Sequence, residues 1–300
     1  MVGGLLASIE TVPDFVSRIA RMGRHIKRLT DEDMAGTQLI LFNRSVSHYG
    51  SYSVNHGMLC ATLVCAMAGG FGLDEAQAQT LIGASLTMNV AMTQLQDVLA
   101  AQRTAPNAHQ RADIDAHAAR GADMLQRAGI VDADWLALVA QHHTPVVLPG
   151  PVKQWPLRER MLHMLQVVDR YTAGLSPRKS RPGRSARDSV QGVLQGHADT
   201  KHDDVGLALL GMLGISPPGT YVKLANGETA MVLKRGIKPN MPIVAAVLNK
   251  SDELIAEPRV RDTSRIGFEV TTALSASNVR VHPNLELMLK LMPRGSGIVA

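Results

Sequence analysis

From Pro13 to about Leu213, apolar positions recur at helical spacing in segments divided by short polar turns with recognisable caps. Thr30 followed by Asp33 resembles a capping box, and Asp74 precedes a long Ala/Gln/Leu segment. Pro106 opens a further helix in which Ile114, His117, Gly121, Met124 and Leu125 fall at helical spacing until Gly129 stops it. Asp132 opens a short helix, Trp135 to His142, closed by Thr144-Pro145. A Pro/Gly-rich connection, Val146 to Pro156, leads into a helix over Leu157 to Ala173, and two more are expected over Ala186 to Gln195 and His202 to Leu213. After Ser216-Pro-Pro-Gly219 the pattern changes to short β-branched runs. Thr220 to Leu224, Thr229 to Lys234, Ile243 to Asn249 and Gly267 to Thr272 are expected as strands, the first two joined by an Asn226-Gly227 hairpin, with a C-terminal helix around Asn284 to Met292. The pattern predicts a mainly α protein: a helical lead-in over 1–50, a helical domain over 51–215 and a small β-rich appendage over 216–300.

Composition supports a helical core. With 300 residues, 45% of them hydrophobic, the chain is long enough to bury one large core or one large and one small. Aromatics make up only 3%, so the helices must pack through aliphatic and Met side chains; Met58, Met67, Met161 and Met164 are expected in the core. Cys60 and Cys65 lie five apart in an apolar run, a spacing of neither a zinc knuckle nor a redox pair, and are expected as buried thiols in a reducing compartment. No charged segment with a small-residue cleavage site opens the chain, and the longest apolar stretch, Met58 to Phe71, is short of the roughly 20 residues of a membrane span. A cytoplasmic protein without a transmembrane segment is expected.

The net charge of +5 suggests anionic partners only weakly, because the excess is concentrated in a few stretches. One is the N-terminal set Arg18, Arg21, Arg24, Lys27 and Arg28, expected as a solvated face. The other is the loop Ser176 to Arg187, with Arg178, Lys179, Arg181, Arg184 and Arg187. Aromatic platforms for stacking bases are nearly absent, which argues against a nucleic-acid partner.

Candidate chemistry lies in an ordered series: His56, Met88-Asn89, His117, the adjacent His142-His143, and Asp169. Each lone histidine is unremarkable, but helices that each present one inward donor can build a metal centre from imidazoles and a carboxylate. The series resembles the HD superfamily and, within it, the HD-GYP cyclic-dinucleotide phosphodiesterases of bacteria. Tyr52-Ser53-Val54-Asn55-His56 matches the helix of the first ligand, and Ser85 to Met92 stands where that family carries Leu-Leu-His-Asp-Ile-Gly-Lys. The run from His117 to Leu125 is similar to its His-Pro-x-x-Gly-x-x-Leu-Leu element, Gln141-His142-His143 to its Gln-His-His, and Val168 to Ala173 to its Ala-Asp-x-Tyr-Asp-Ala stretch. Pro217 to Leu224 resembles the segment that ends family members.

The resemblance implies an HD-superfamily helical bundle with His56, His117, His142, His143 and Asp169 as metal ligands, and with Arg178 and Arg181 as phosphate-binding arginines. It also implies impaired chemistry. Met88 and Asn89 occupy the positions of the His-Asp pair whose carboxylate bridges two metals, and Met92 that of the family's Lys. The Gly-Tyr-Pro motif is missing after His143. The expectation is therefore a signalling or regulatory module of cyclic-dinucleotide pathways, with no confident catalytic residue. It would hold at most one weakly bound divalent metal (Fe, Mn or Zn), or none, and would recognise a cyclic dinucleotide or a signalling partner protein. The alternative is an active metal-dependent phosphodiesterase with an atypical centre. A homodimer is left open.

Overall fold

The computed structural model describes residues 2–9, 11–47, 50–180, 183–184, 188–189, 191–192, 203–279 and 281–292. The chain is mainly α, with a C-terminal antiparallel sheet of five strands. The helices are α1 (Val2–Ala7), α2 (Phe15–Glu32), α3 (Met34–Val46), α4 (Tyr52–Ala68), α5 (Glu75–Thr87), α6 (Thr93–Ala101), α7 (Ala108–Arg127), α8 (Ala133–Gln141), α9 (Leu157–Leu175), α10 (Asp204–Leu213) and α11 (Leu285–Leu291). The strands are β1 (Tyr221–Leu224), β2 (Thr229–Lys234), β3 (Ile243–Leu248), β4 (Leu254–Asp262) and β5 (Val270–Leu274).

The caps account for most helix starts. Asp74 and Gln77 form a reciprocal capping box at α5, Asn107 and Gln110 another at α7, and Asp132 accepts from the backbone N–H groups of Asp134 and Trp135 at α8. Thr30, expected as a cap, lies inside α2; the cap is Asp33, which opens α3 by accepting from Gly36 N. α2 is amphipathic, with Phe15, Ile19, Gly23 and Ile26 inward and Arg18, Arg21, Arg24 and Arg28 exposed.

α4 is different. It is apolar on nearly all sides and runs through the middle of the helical core, in contact with α2, α3, α5 and α9. With the 3-10 turn that follows, it spans 20 residues, Tyr52–Phe71, which is long and apolar enough to cross a membrane by length and composition; 72% of its most apolar window is buried inside the protein. Its terminus is fixed by Asp97 of α6, which accepts from Ser51 Oγ (2.7 Å), Ser53 N (2.8 Å) and Ser53 Oγ (3.1 Å).

The sheet has the order β4-β3-β2-β1-β5. Both faces are apolar. Tyr221, Met231, Leu233, Ala245 and Val247 pack with Leu39 of α3 and Met288 of α11, while Val222, Leu224, Ala230, Val232 and Val244 form a second cluster with Phe268 and Val270. The lead-in helix α3 therefore packs on both the helical core and the appendage. Asn43 Nδ2 donates to Gly219 O (3.4 Å) and Tyr221 Oη (3.3 Å). Gly219 has φ +82°, and a Cβ there would stand 2.8 Å from Asn43 N, so only glycine fits this junction.

β4 was not foreseen from the sequence. Its pattern is broken by Pro258, which an edge position tolerates because one side of the strand has no partner to hydrogen-bond. α1 was also missed. The helix expected over Ala186 to Gln195 falls largely outside the described residues, as do Arg181 and Arg187.

Candidate metal centre

Four of the helices supply the candidate donors. His56 is on α4, His117 on α7, His142 and His143 follow the last turn of α8, and Asp169 is on α9. His56, His117 and His142 are almost fully buried, Asp169 is 16% exposed, and His143 is exposed.

The donors form two groups. His117, His142 and His143 present donor atoms that all lie within 4.8 Å of one another. His117 Nε2 and His142 Nε2 are 3.2 Å apart, and each ring's Nδ1 faces a carbonyl of its own helix, Ile114 O for His117 and Val139 O (2.7 Å) for His142. Those contacts place the N–H on Nδ1 and leave both Nε2 lone pairs pointing at one space, the arrangement a shared cation requires. Burial lowers the pKa of His117. Burial, reinforced by His143, lowers that of His142 to about 4, so both rings are neutral and able to act as ligands at neutral pH.

The second group is His56, Cys60 and Asp169, with the same 4.8 Å limit. His56 Nε2 lies 2.8 Å from Asp169 Oδ1 and 3.7 Å from Cys60 Sγ, while its Nδ1 is buried without a hydrogen-bond partner. Burial works against a charge on His56, but the Cys60 sulfur and the Asp169 carboxylate outweigh it, and the pKa stands well above 6.5. Burial would likewise raise Asp169, yet the His56 hydrogen bond and the surrounding imidazoles hold it down to about 2. Asp169 also influences His117 and His142 electrostatically, so it links the two groups.

Both groups have the donor chemistry of a metal site: neutral imidazoles in one, and an imidazole, a thiol and a carboxylate in the other. When bound, a divalent metal there would act as a Lewis acid.

Met88 and Asn89 join neither group. Met88 closes α5 inside the hydrophobic core, and Asn89 lines a cavity of about 10 Å³ with Leu6, Ser53, Gly57 and Gln96, none of them a candidate ligand. Met92 is buried at the end of the 3-10 turn that follows. Of the two arginines, Arg178 is half-buried: its guanidinium lies 5.1 Å from the centre of the Tyr52 ring and donates to Tyr52 Oη through Nη2 (2.9 Å). Tyr52 in turn stacks on His56, ring centroids 5.9 Å apart. Beside Tyr52 a cleft of about 390 Å³ is lined by Arg44, Ser51, Asn55, Asp97 and Lys179 among others.

Two participants escaped sequence reasoning. The apolar run predicts only that Cys60 and Cys65 are buried thiols; both are free and buried, but Cys60 also faces His56. The signal was its position four residues after His56, on the same helix face. Tyr52 was noticed only as part of a motif, and no pattern revealed its place between Arg178 and His56. No family model, no curated protein and no solved structure matches the chain.

Proposed function

We propose that the chain is an HD-GYP-like domain of the HD superfamily, impaired as a phosphodiesterase, that serves as a signalling or regulatory module in cyclic-dinucleotide pathways. The observation that carries this reading is the fate of the central pair. Met88 is packed in the hydrophobic core and Asn89 has no charge, so no carboxylate is available at either position to bridge two metals, while the outer donors His56, His117, His142, His143 and Asp169 remain assembled. The 390 Å³ cleft beside Tyr52 supports a recognition role. Its size is that of a small-molecule site, Arg44 and Lys179 lie on its lining, and Arg178 is hydrogen-bonded to Tyr52, another lining residue, so phosphate groups would meet cations.

The second reading, an active phosphodiesterase with an atypical centre, is favoured by the two donor groups that Asp169 links. Incubating the purified, metal-loaded protein with cyclic di-GMP separates the two. We expect binding without turnover; measurable hydrolysis that disappears in His142→Ala would overturn the regulatory reading and establish the enzymatic one.

A further inference from the structure

We propose that Cys60 is a metal ligand, and that His56, Cys60 and Asp169 together form a zinc site distinct in composition from the all-imidazole group beside it. The inference rests on the reading of the helical body as a metal-holding scaffold and concerns which of its residues do the holding.

Spacing comes first. His56 and Cys60 are four residues apart on α4, so their side chains leave the same face one turn apart, the spacing by which a helix chelates an ion with two side chains. Asp169 reaches the same point from α9, with Oδ1 2.8 Å from His56 Nε2, and Cys60 Sγ lies 3.7 Å from that nitrogen. Bond lengths of about 2.0–2.3 Å in a tetrahedral site separate donors by roughly 3.3–3.8 Å. The sulfur already stands at that separation, and the carboxylate oxygen, now 2.8 Å from the imidazole, has to draw back by about 0.5 Å to reach it.

Charge comes second. A divalent ion among buried helices must be neutralised where it sits. His117, His142 and His143 bring no negative charge. A Cys60 thiolate and the Asp169 carboxylate bring two, with His56 as a neutral third ligand, so this group can bury a dication with no net charge left over. Binding expels the thiol proton of Cys60 and any proton on His56 into solvent. Donor chemistry comes third. A thiolate beside an imidazole favours zinc over magnesium or manganese, which prefer oxygen, and three protein donors leave the fourth position open.

Cys65 provides an internal control. It lies on the same helix and is buried and free like Cys60, but it faces Thr30 rather than the cluster. The full-length protein, stripped with chelator and titrated with cobalt(II) as a spectroscopic stand-in for zinc, should develop a near-ultraviolet sulfur-to-cobalt charge-transfer band. The band should persist in Cys65→Ser and vanish in Cys60→Ser, whose zinc affinity should fall at least about 10–100-fold. No metal binding, cobalt binding without the band, or an unchanged band and zinc affinity in Cys60→Ser would each overturn the proposal. Should Cys60→Ser fail to fold, X-ray absorption of the zinc-loaded wild type decides: one sulfur at about 2.3 Å is expected, and a shell of nitrogen and oxygen alone refutes it. Metal held only by nitrogen and oxygen would remove Cys60 and leave the regulatory reading intact, because that reading is judged by cyclic di-GMP turnover.

Discussion

In metal-stripped protein the His56–Asp169 pair should be a measurable part of the stability of the helical core, and Asp169→Ala is the perturbation that exposes it. The pair joins α4 to α9 across 2.8 Å, with side-chain exposures of 2% and 16%, so solvent screens it little. Removing one partner of a buried ion pair costs about 3–5 kcal/mol. An imidazole can shed its proton instead of remaining charged, which lowers the figure towards the roughly 1.5–3 kcal/mol of a lost charged hydrogen bond. We expect about 2–4 kcal/mol for Asp169→Ala. Asp169→Asn keeps an acceptor oxygen of the same size and should cost about half as much. The assay is equilibrium urea denaturation in chelator, read as a shift of midpoint at unchanged slope, with the His56→Ala/Asp169→Ala double mutant to isolate the coupling. A loss below about 1 kcal/mol for Asp169→Ala, or equal losses for Ala and Asn, would show that no buried ion pair exists between α4 and α9.

Three further outcomes are expected. A Cβ at Gly83 would stand 2.6 Å from Cζ2 of Trp135 and closer to two other ring atoms, so Gly83→Ala should cost about 1–3 kcal/mol by overpacking α5 against α8; an unchanged thermal midpoint would contradict the packing. Burial would raise the Asp203 carboxyl, but hydrogen bonds from His163 and from the backbone of Gly206 and Val205 hold it below its usual value. Its contribution to stability is therefore complete above the unfolded pKa of about 3.9 and lost as pH falls through the folded one. Asp203→Asn should flatten the acid limb of stability measured from about pH 5 down to about pH 2, and parallel wild-type and variant profiles over that range would refute this. Arg261 binds Glu228 through two hydrogen bonds of 2.9 and 2.8 Å and covers Phe268, so Glu228→Ala should destabilise the protein by about 1–2 kcal/mol; no loss of thermal midpoint would count against that pair.

Much of the helical body was legible in the sequence because its signals are local. The Asp74 and Asp132 caps, the Pro breaks and the 3.6-residue period mark the starts of α5, α7, α8 and α9 to within a few residues, and the Asn226-Gly227 turn marks the β1–β2 hairpin, whereas the short α6 has no such signal of its own. Signals that depend on partners were lost. β4 carries Pro258 and an exposure pattern set by its edge position, which cannot be seen without the sheet. The short α1 lay before the first recognisable period, and its place against α4 and α6 is a tertiary fact.

The site divides in the same way. The sequence by itself determined the donor types, their order along the chain and the missing acid at Asn89, because residue identity needs no coordinates. Only the tertiary structure decided which donors meet. It separated the histidines into an imidazole group and a mixed group and gave Asp169 to His56. It also brought Cys60 out of the apolar run to face them and withdrew Met88 into the core. The physical reason is that a donor acts only within a few ångströms of its neighbours. For residues on α4, α7, α8 and α9, those distances are set by how the helices pack.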